Sequence, residues 1–82
     1  MDQIARTPEQ IGAALRRCRR AAKVTQTALG EKTGLRQATI SALENGEPGT
    51  QLRTLTDALA ALGLELVIRD RQGADGTVEE LF

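Results

Sequence analysis

Within six consecutive residues, Arg36, Gln37, Ala38, Thr39 and Ser41 carry the most specific chemistry in the chain. A glutamine amide holds one donor beside one acceptor, which is the pair that an adenine edge matches in the major groove of a duplex. A serine one helical turn later can donate or accept, and an alanine methyl can touch the methyl of thymine. Arg36, just ahead of them, can reach a phosphate or a guanine edge. Gln26 and Thr27, at the start of an earlier helical stretch, are of the types that bond a sugar-phosphate backbone. The plainer alternative is a polar helix face that meets only water.

Most other chemistry is excluded by what the 82 residues lack: there is no His, Trp or Tyr, one Cys, and Ser41 is the only serine. A Ser or Cys nucleophile usually needs a neighbouring base, most often histidine, and a transition-metal site needs several His or Cys ligands. An enzyme is therefore not expected, nor is a cofactor or a metal. Cys18 falls inside an apolar helical pattern and cannot form an internal disulfide, which suits a core residue in a reducing compartment. Residues Met1 to Gln10 have no apolar leader pattern, and the nearly apolar run Ala58 to Leu64 is too short to span a bilayer. The expectation is a cytoplasmic protein of one small domain with no membrane contact. Because a core of this size is marginal, a partner subunit is the natural source of further stability.

Net charge is zero, but the charges are segregated. Nine bases face five acids up to Arg53, whereas two bases face six acids beyond it. The basic first part can meet phosphate and the acidic remainder cannot. Arg16, Arg17, Arg20 and Lys23 could equally do no more than solvate one helix face.

These side chains must be held by short helices. Thr7, Pro8 and Gln10 form a helix start, with a capping hydroxyl, a proline at the first position and a glutamine able to reach back. Ile11, Ala14, Leu15, Cys18 and Ala22 then recur at helical spacing. A second helix is expected from Thr25, burying Ala28 and Leu29 and stopping at Gly34. A third runs from about Arg36 to Asn45 and buries Ile40 and Leu43, which turns Gln37 and Ser41 outward. Glu47, Pro48 and Gly49 make a loop, and Thr50 is expected to cap a fourth helix with the stripe Leu52, Leu55, Leu59 and Leu62 and a stop at Gly63. Beyond it the period changes to two: Leu64, Leu66 and Ile68 alternate with Glu65, Val67 and Arg69, the pattern of a strand. A lone strand leaves its amides and carbonyls unpaired, so Leu64, Leu66, Val67 and Ile68 are expected to pair with the same strand of a second copy across a two-fold axis. From Asp70 to Glu80 the chain is polar, and Leu81 and Phe82 place two apolar side chains after Glu79 and Glu80.

The stretch from Gln26 to Gly46, with Gly30, Gly34, Ile40 and Leu43-Glu44-Asn45-Gly46 in register, resembles the helix-turn-helix of the Xre and Cro family over about Gln10 to Leu64. Where that family usually has alanine, Gly30 stands here. With the stretch Arg36-Gln37-Ala38-Thr39-Ile40-Ser41, the aliphatic strand after the fourth helix and the acidic tail ending in an aromatic, the chain further resembles HipB-type antitoxins. The resemblance implies an all-α, lambda-repressor-like domain (1–63), a strand forming an intersubunit ribbon (64–70) and an acidic C-terminal tail (71–82). It further implies a homodimer that represses its own operon on palindromic double-stranded operator DNA and binds a HipA-like serine/threonine kinase toxin, with Glu79, Glu80, Leu81 and Phe82 as candidate toxin contacts. It makes Arg19 an ion-pair partner of Glu44 rather than a DNA ligand. A repressor without a toxin, or an adaptor that binds only protein, would share the fold.

Overall fold

A computed structural model describes residues 2–71, which contain four helices: α1 (Pro8–Ala21), α2 (Gln26–Thr33), α3 (Gln37–Glu44) and α4 (Leu52–Ala61). The local signals account for most of the helix ends. The Thr7 hydroxyl accepts from the Gln10 amide at 3.1 Å, and the Gln10 side chain reaches back to accept from the Arg6 amide at 2.6 Å. Thr25 caps α2 by accepting from the Ala28 amide at 3.0 Å. Gly34 follows α2 at φ 74°, a conformation that a side chain resists, and the chain turns there into α3.

Close packing of α2 on that turn explains Gly30. A methyl group there would lie 2.6 Å from the backbone oxygen of Leu35, so the turn has closed into the space that a side chain would need. The core joins all four helices through Leu15, Leu29, Ile40, Leu43, Leu55 and Ala58, with Leu29 and Ile40 fully buried. The expected apolar positions Ile11, Leu59, Leu62 and Leu64 flank it, partly buried.

Two expectations are corrected, and a third, the strand, is not seen in the single chain. Thr50 does not cap α4: the chain closes a turn with the Thr50 amide on the Glu47 carbonyl at 3.1 Å, and the helix begins one residue later than expected, so Gln51 holds the cap position without a side-chain bond. Leu52 is 78% exposed, since it opens α4 a turn ahead of Leu55 and nothing among the described residues covers it. Residues 64–71 form neither helix nor strand, and no strand occurs among the described residues. A strand is defined by its ladder to a neighbour, and this single copy supplies no neighbour.

Instead, Gly63 turns the chain at φ 71°, the Leu64 amide bonds the Leu59 carbonyl at 2.8 Å, and Leu64 settles against the core. Leu66, Val67 and Ile68 stay exposed. Together with Ile4 they border an open groove of about 760 Å³ between residues 2–6 and 64–71, whose walls include Ile11, Leu15, Cys18 and Leu59. Glu79, Glu80, Leu81 and Phe82, and the tail from residue 72 onward, lie outside the described residues. No helix among the described residues is long and apolar enough to cross a membrane.

Candidate nucleic-acid interface

Two helix starts meet at one place on the surface. Gln26 is the first residue of α2 and Gln37 the first of α3, and the sharp turn at Gly34 sets the two ends side by side. The Gln37 amide nitrogen donates to the Gln26 amide oxygen at 3.3 Å, and the Thr27 hydroxyl donates to the Gln37 amide oxygen at 3.4 Å. Thus Gln26, Thr27 and Gln37 form one polar group, with Thr27 and Gln37 exposed and Gln26 half-buried. Arg36 precedes them as the N-cap of α3, exposed and without a side-chain capping bond.

The remaining residues of the stretch divide by helical period. Ser41 is four positions from Gln37 and shares its face, half-buried one turn deeper. Thr39 lies about 200° around the helix from Gln37. Together with Ala38 it borders a shallow hollow between α3 and the start of α4, lined also by Ala42, Glu47, Gly49, Thr50, Gln51 and Thr54. Ala38 is nevertheless exposed, whereas Thr39 is half-buried.

Behind this surface sits a buried charge cluster. Arg19 grips Glu44 with two nitrogens, Nε to Oε2 at 2.5 Å and a terminal nitrogen to Oε1 at 3.0 Å, and its other terminal nitrogen bonds the Val24 carbonyl at 2.9 Å. Arg16 adds a longer bond from Nε to Glu44 Oε1 at 3.4 Å and ties Asn45 at 2.8 Å. The Gln26 amide nitrogen donates to the same Glu44 Oε1 at 3.1 Å. Burial alone would push the Glu44 carboxyl up, but the bonds from Arg19 and Gln26, the attraction of the Arg19 charge and the bond from Arg16 together hold it below the ordinary carboxylate range. The Arg19 guanidinium is pushed up, chiefly by its bond to Glu44.

Of Arg16, Arg17, Arg20 and Lys23, two are committed internally: Arg16 goes to Glu44 and Asn45, and Arg17 goes to Gln3 at 3.1 and 3.0 Å. Arg20 and Lys23 remain exposed. Sequence reasoning missed Arg16, Asn45 and the link from Gln26 to Glu44. The one available signal was spacing, since Arg16 precedes Arg19 by three residues and shares its helix face.

A half-buried glutamine, an exposed glutamine and a threonine where the starts of α2 and α3 meet, with the turn at Gly34 between the helices, define a helix-turn-helix protein. A family model described as a helix-turn-helix domain matches residues 10–72. The antitoxin HipB of Escherichia coli O6:H1 strain CFT073 is 34% identical over 74 residues, covering 90% of this chain and 79% of that protein. Among solved structures, HipB in a HipA–HipB–O2–O3 complex superposes with a TM-score of 0.80 at 34% identity, covering 87% of this chain and all of that one. HipB in a HipB–O4 20mer complex gives the same TM-score, identity and coverage. The chain belongs to the helix-turn-helix family and, within it, to the HipB antitoxins.

Proposed function

We propose that this protein is the antitoxin and transcriptional autorepressor of a HipA/HipB-type toxin–antitoxin operon, acting in the cytoplasm and without catalytic activity of its own. The observation that carries the reading is the surface group of Gln26, Thr27 and Gln37 on a chain 34% identical to HipB in a HipA–HipB–O2–O3 complex. Gln37 and Ser41 read base edges in the major groove, Ala38 supplies a methyl contact, and Arg36, Gln26, Thr27 and Thr39 hold the phosphate backbone. Residues 64–70 pair with those of a second copy, so two α3 helices meet half-sites of a palindromic operator about 34 Å apart.

The kinase toxin is bound through the segment that ends Glu79-Glu80-Leu81-Phe82, whose apolar end can anchor in a partner while its acids steer the approach. The test is binding of the full chain to the DNA upstream of its own gene and to the kinase encoded beside it. Sequence-selective, salt-dependent DNA binding is expected, with toxin binding weakened by deleting Val78 to Phe82 while dimer and DNA binding persist. Equal affinity of wild type and a Gln37→Ala, Ser41→Ala double variant for that DNA overturns the assigned face. Unchanged toxin affinity after the deletion overturns the tail assignment.

A further inference from the structure

The hydrogen bonds behind the reading face run in one direction. A carboxylate has no proton and can only accept. Glu44 is 2% exposed, and both of its oxygens are already taken by Arg19, so it cannot rotate away from Gln26. Whatever amide group lies against it must therefore present nitrogen, and Gln26 does so at 3.1 Å. That choice turns the Gln26 oxygen outward, where it can only accept. Gln37 must in turn bring its nitrogen to that oxygen, at 3.3 Å, leaving its own oxygen on the far side beside the Thr27 hydroxyl.

We propose that Glu44 is a positioning residue for base selection: acting through the Gln26 amide, it decides which end of the Gln37 amide donates and which accepts. The proposal rests on the reading of Gln37 as a base contact. With its sense decided, the Gln37 amide keeps one N–H and one oxygen lone pair free, in a single order across the groove. That order matches the N7 acceptor and N6 donor of adenine in one orientation of the base pair, whereas a reversed amide sets donor against donor. A flip of Gln26 would face its carbonyl oxygen to a buried carboxylate, a repulsion that water does not screen at this depth. Arg19 and Arg16 hold Glu44 in place, so the ion pair reaches the surface as a choice of amide orientation.

Gln26→Met isolates the effect, because it keeps the shape of the side chain, removes both amide groups and leaves the ion pair untouched. The full-length protein is first used to select its preferred site from a pool of random duplexes. Affinities are then measured for all four base pairs at each position, and the position where Gln37→Ala abolishes discrimination is identified. Gln26→Met is expected to lose about tenfold in discrimination at that same position, the scale of one bidentate contact. It should stay folded, with a melting temperature lowered only by the loss of one bond to Glu44, and should add nothing further to the loss of discrimination when combined with Gln37→Ala.

Equal weakening on all four base pairs would make Gln26 a phosphate contact only and overturn the proposal. In the free wild-type protein, nuclear Overhauser contacts should join the Gln26 side-chain amide protons to the Glu44 methylene protons, with slowed exchange against water. A freely exchanging Gln26 amide without those contacts also overturns it. Wild-type protein that selects no sequence at all defeats the reading of Gln37 first, and that failure is visible before any variant is made.

Discussion

Arg19 of α1 and Glu44 of α3 form a two-pronged ion pair in a chain of 82 residues, with Glu44 almost fully enclosed. Bringing two charges out of water is costly, and the cost is recovered only because every buried side-chain polar atom among the described residues has a partner. Removing one member leaves the other stranded. Glu44→Leu or Arg19→Met alone should therefore cost about 3–5 kcal/mol of stability, enough to unfold much of so small a domain. The Arg19→Met, Glu44→Leu double variant should recover a large part of that loss, as measured by urea unfolding. Additive losses in the double variant would show that the pair is not coupled.

The same pair sets a response to acid. In the folded protein the Glu44 carboxyl is held below its ordinary value, so the unfolded chain takes up a proton first as the pH falls. The stability from this group is complete above about pH 4.3, the ordinary glutamate value, and is lost as the pH falls from there through the lowered folded value. Urea midpoints measured between pH 7 and pH 3 should show this loss in wild type. The double variant without the ion pair should have a shallower decline, and an identical decline would assign it to other carboxylates.

Gly34 supplies the turn between the two helices at φ 74°, with nothing within 4 Å of where a methyl would stand. Strain is then the only cost of adding one. Gly34→Ala should lose about 1–2 kcal/mol by the left-handed penalty, and Gly34→Asn less, because asparagine tolerates that region. Thermal melts of the two variants test the order, and equal melting points would show that the turn relaxes out of the left-handed region.

Much of the fold was legible because its signals are local. Thr7, Thr25, Gly34 and Gly63 act within a turn of their own position, and the apolar spacing through Leu15, Leu29, Ile40, Leu43 and Leu55 needs only helical period to be seen. Thr50 misled because the path of the loop sets where α4 begins: the turn from Glu47 to Thr50 leaves Gln51 at the cap position, one residue past the threonine hydroxyl. The pairing of Arg19 with Glu44 came through family resemblance, and spacing alone does not imply it. The link from Glu44 to Gln26 and on to Gln37 depends on how α2 and α3 pack on each other, which no period encodes. The alternation from Leu64 to Arg69 is plain in the sequence, yet a ladder needs a neighbouring strand, and none lies among the described residues.

Base contacts and phosphate contacts should separate by their dependence on salt. Gln37→Ala should lose about 1–3 kcal/mol of discrimination at one base pair with little change in the salt slope. Arg36, exposed at the α3 cap, should behave in the opposite way. Arg36→Ala should weaken specific and non-specific duplexes alike and lower the slope of log affinity against log salt by about one. A base-specific loss in Arg36→Ala would move that residue from the backbone to a guanine edge.

The proposed ribbon has a register that can be checked. A two-fold axis perpendicular to an antiparallel pair must pass between two copies of one residue, so the candidate centres are Leu66, Val67 and Ile68. Leu64 is already packed on its own core, which leaves Leu66 and Ile68 as the apolar side chains still to be covered on that face. Centring on Val67 sets Leu66 opposite Ile68 of the partner subunit and Glu65 opposite Arg69 of the partner subunit, each twice by symmetry. Centring on Leu66 sets Glu65 against Val67 of the partner subunit, and centring on Ile68 sets Leu66 against Asp70 of the partner subunit. Opposite charges directly across a strand pair stabilise it and like charges destabilise it. Glu65→Arg should therefore weaken the dimer several-fold in sedimentation equilibrium, and adding Arg69→Glu should restore it. Leu66→Asp should dissociate the dimer whichever register holds. A Glu65→Arg dimer of wild-type strength would move the axis off Val67, and a Leu66→Asp dimer of wild-type strength would remove the ribbon from the interface altogether.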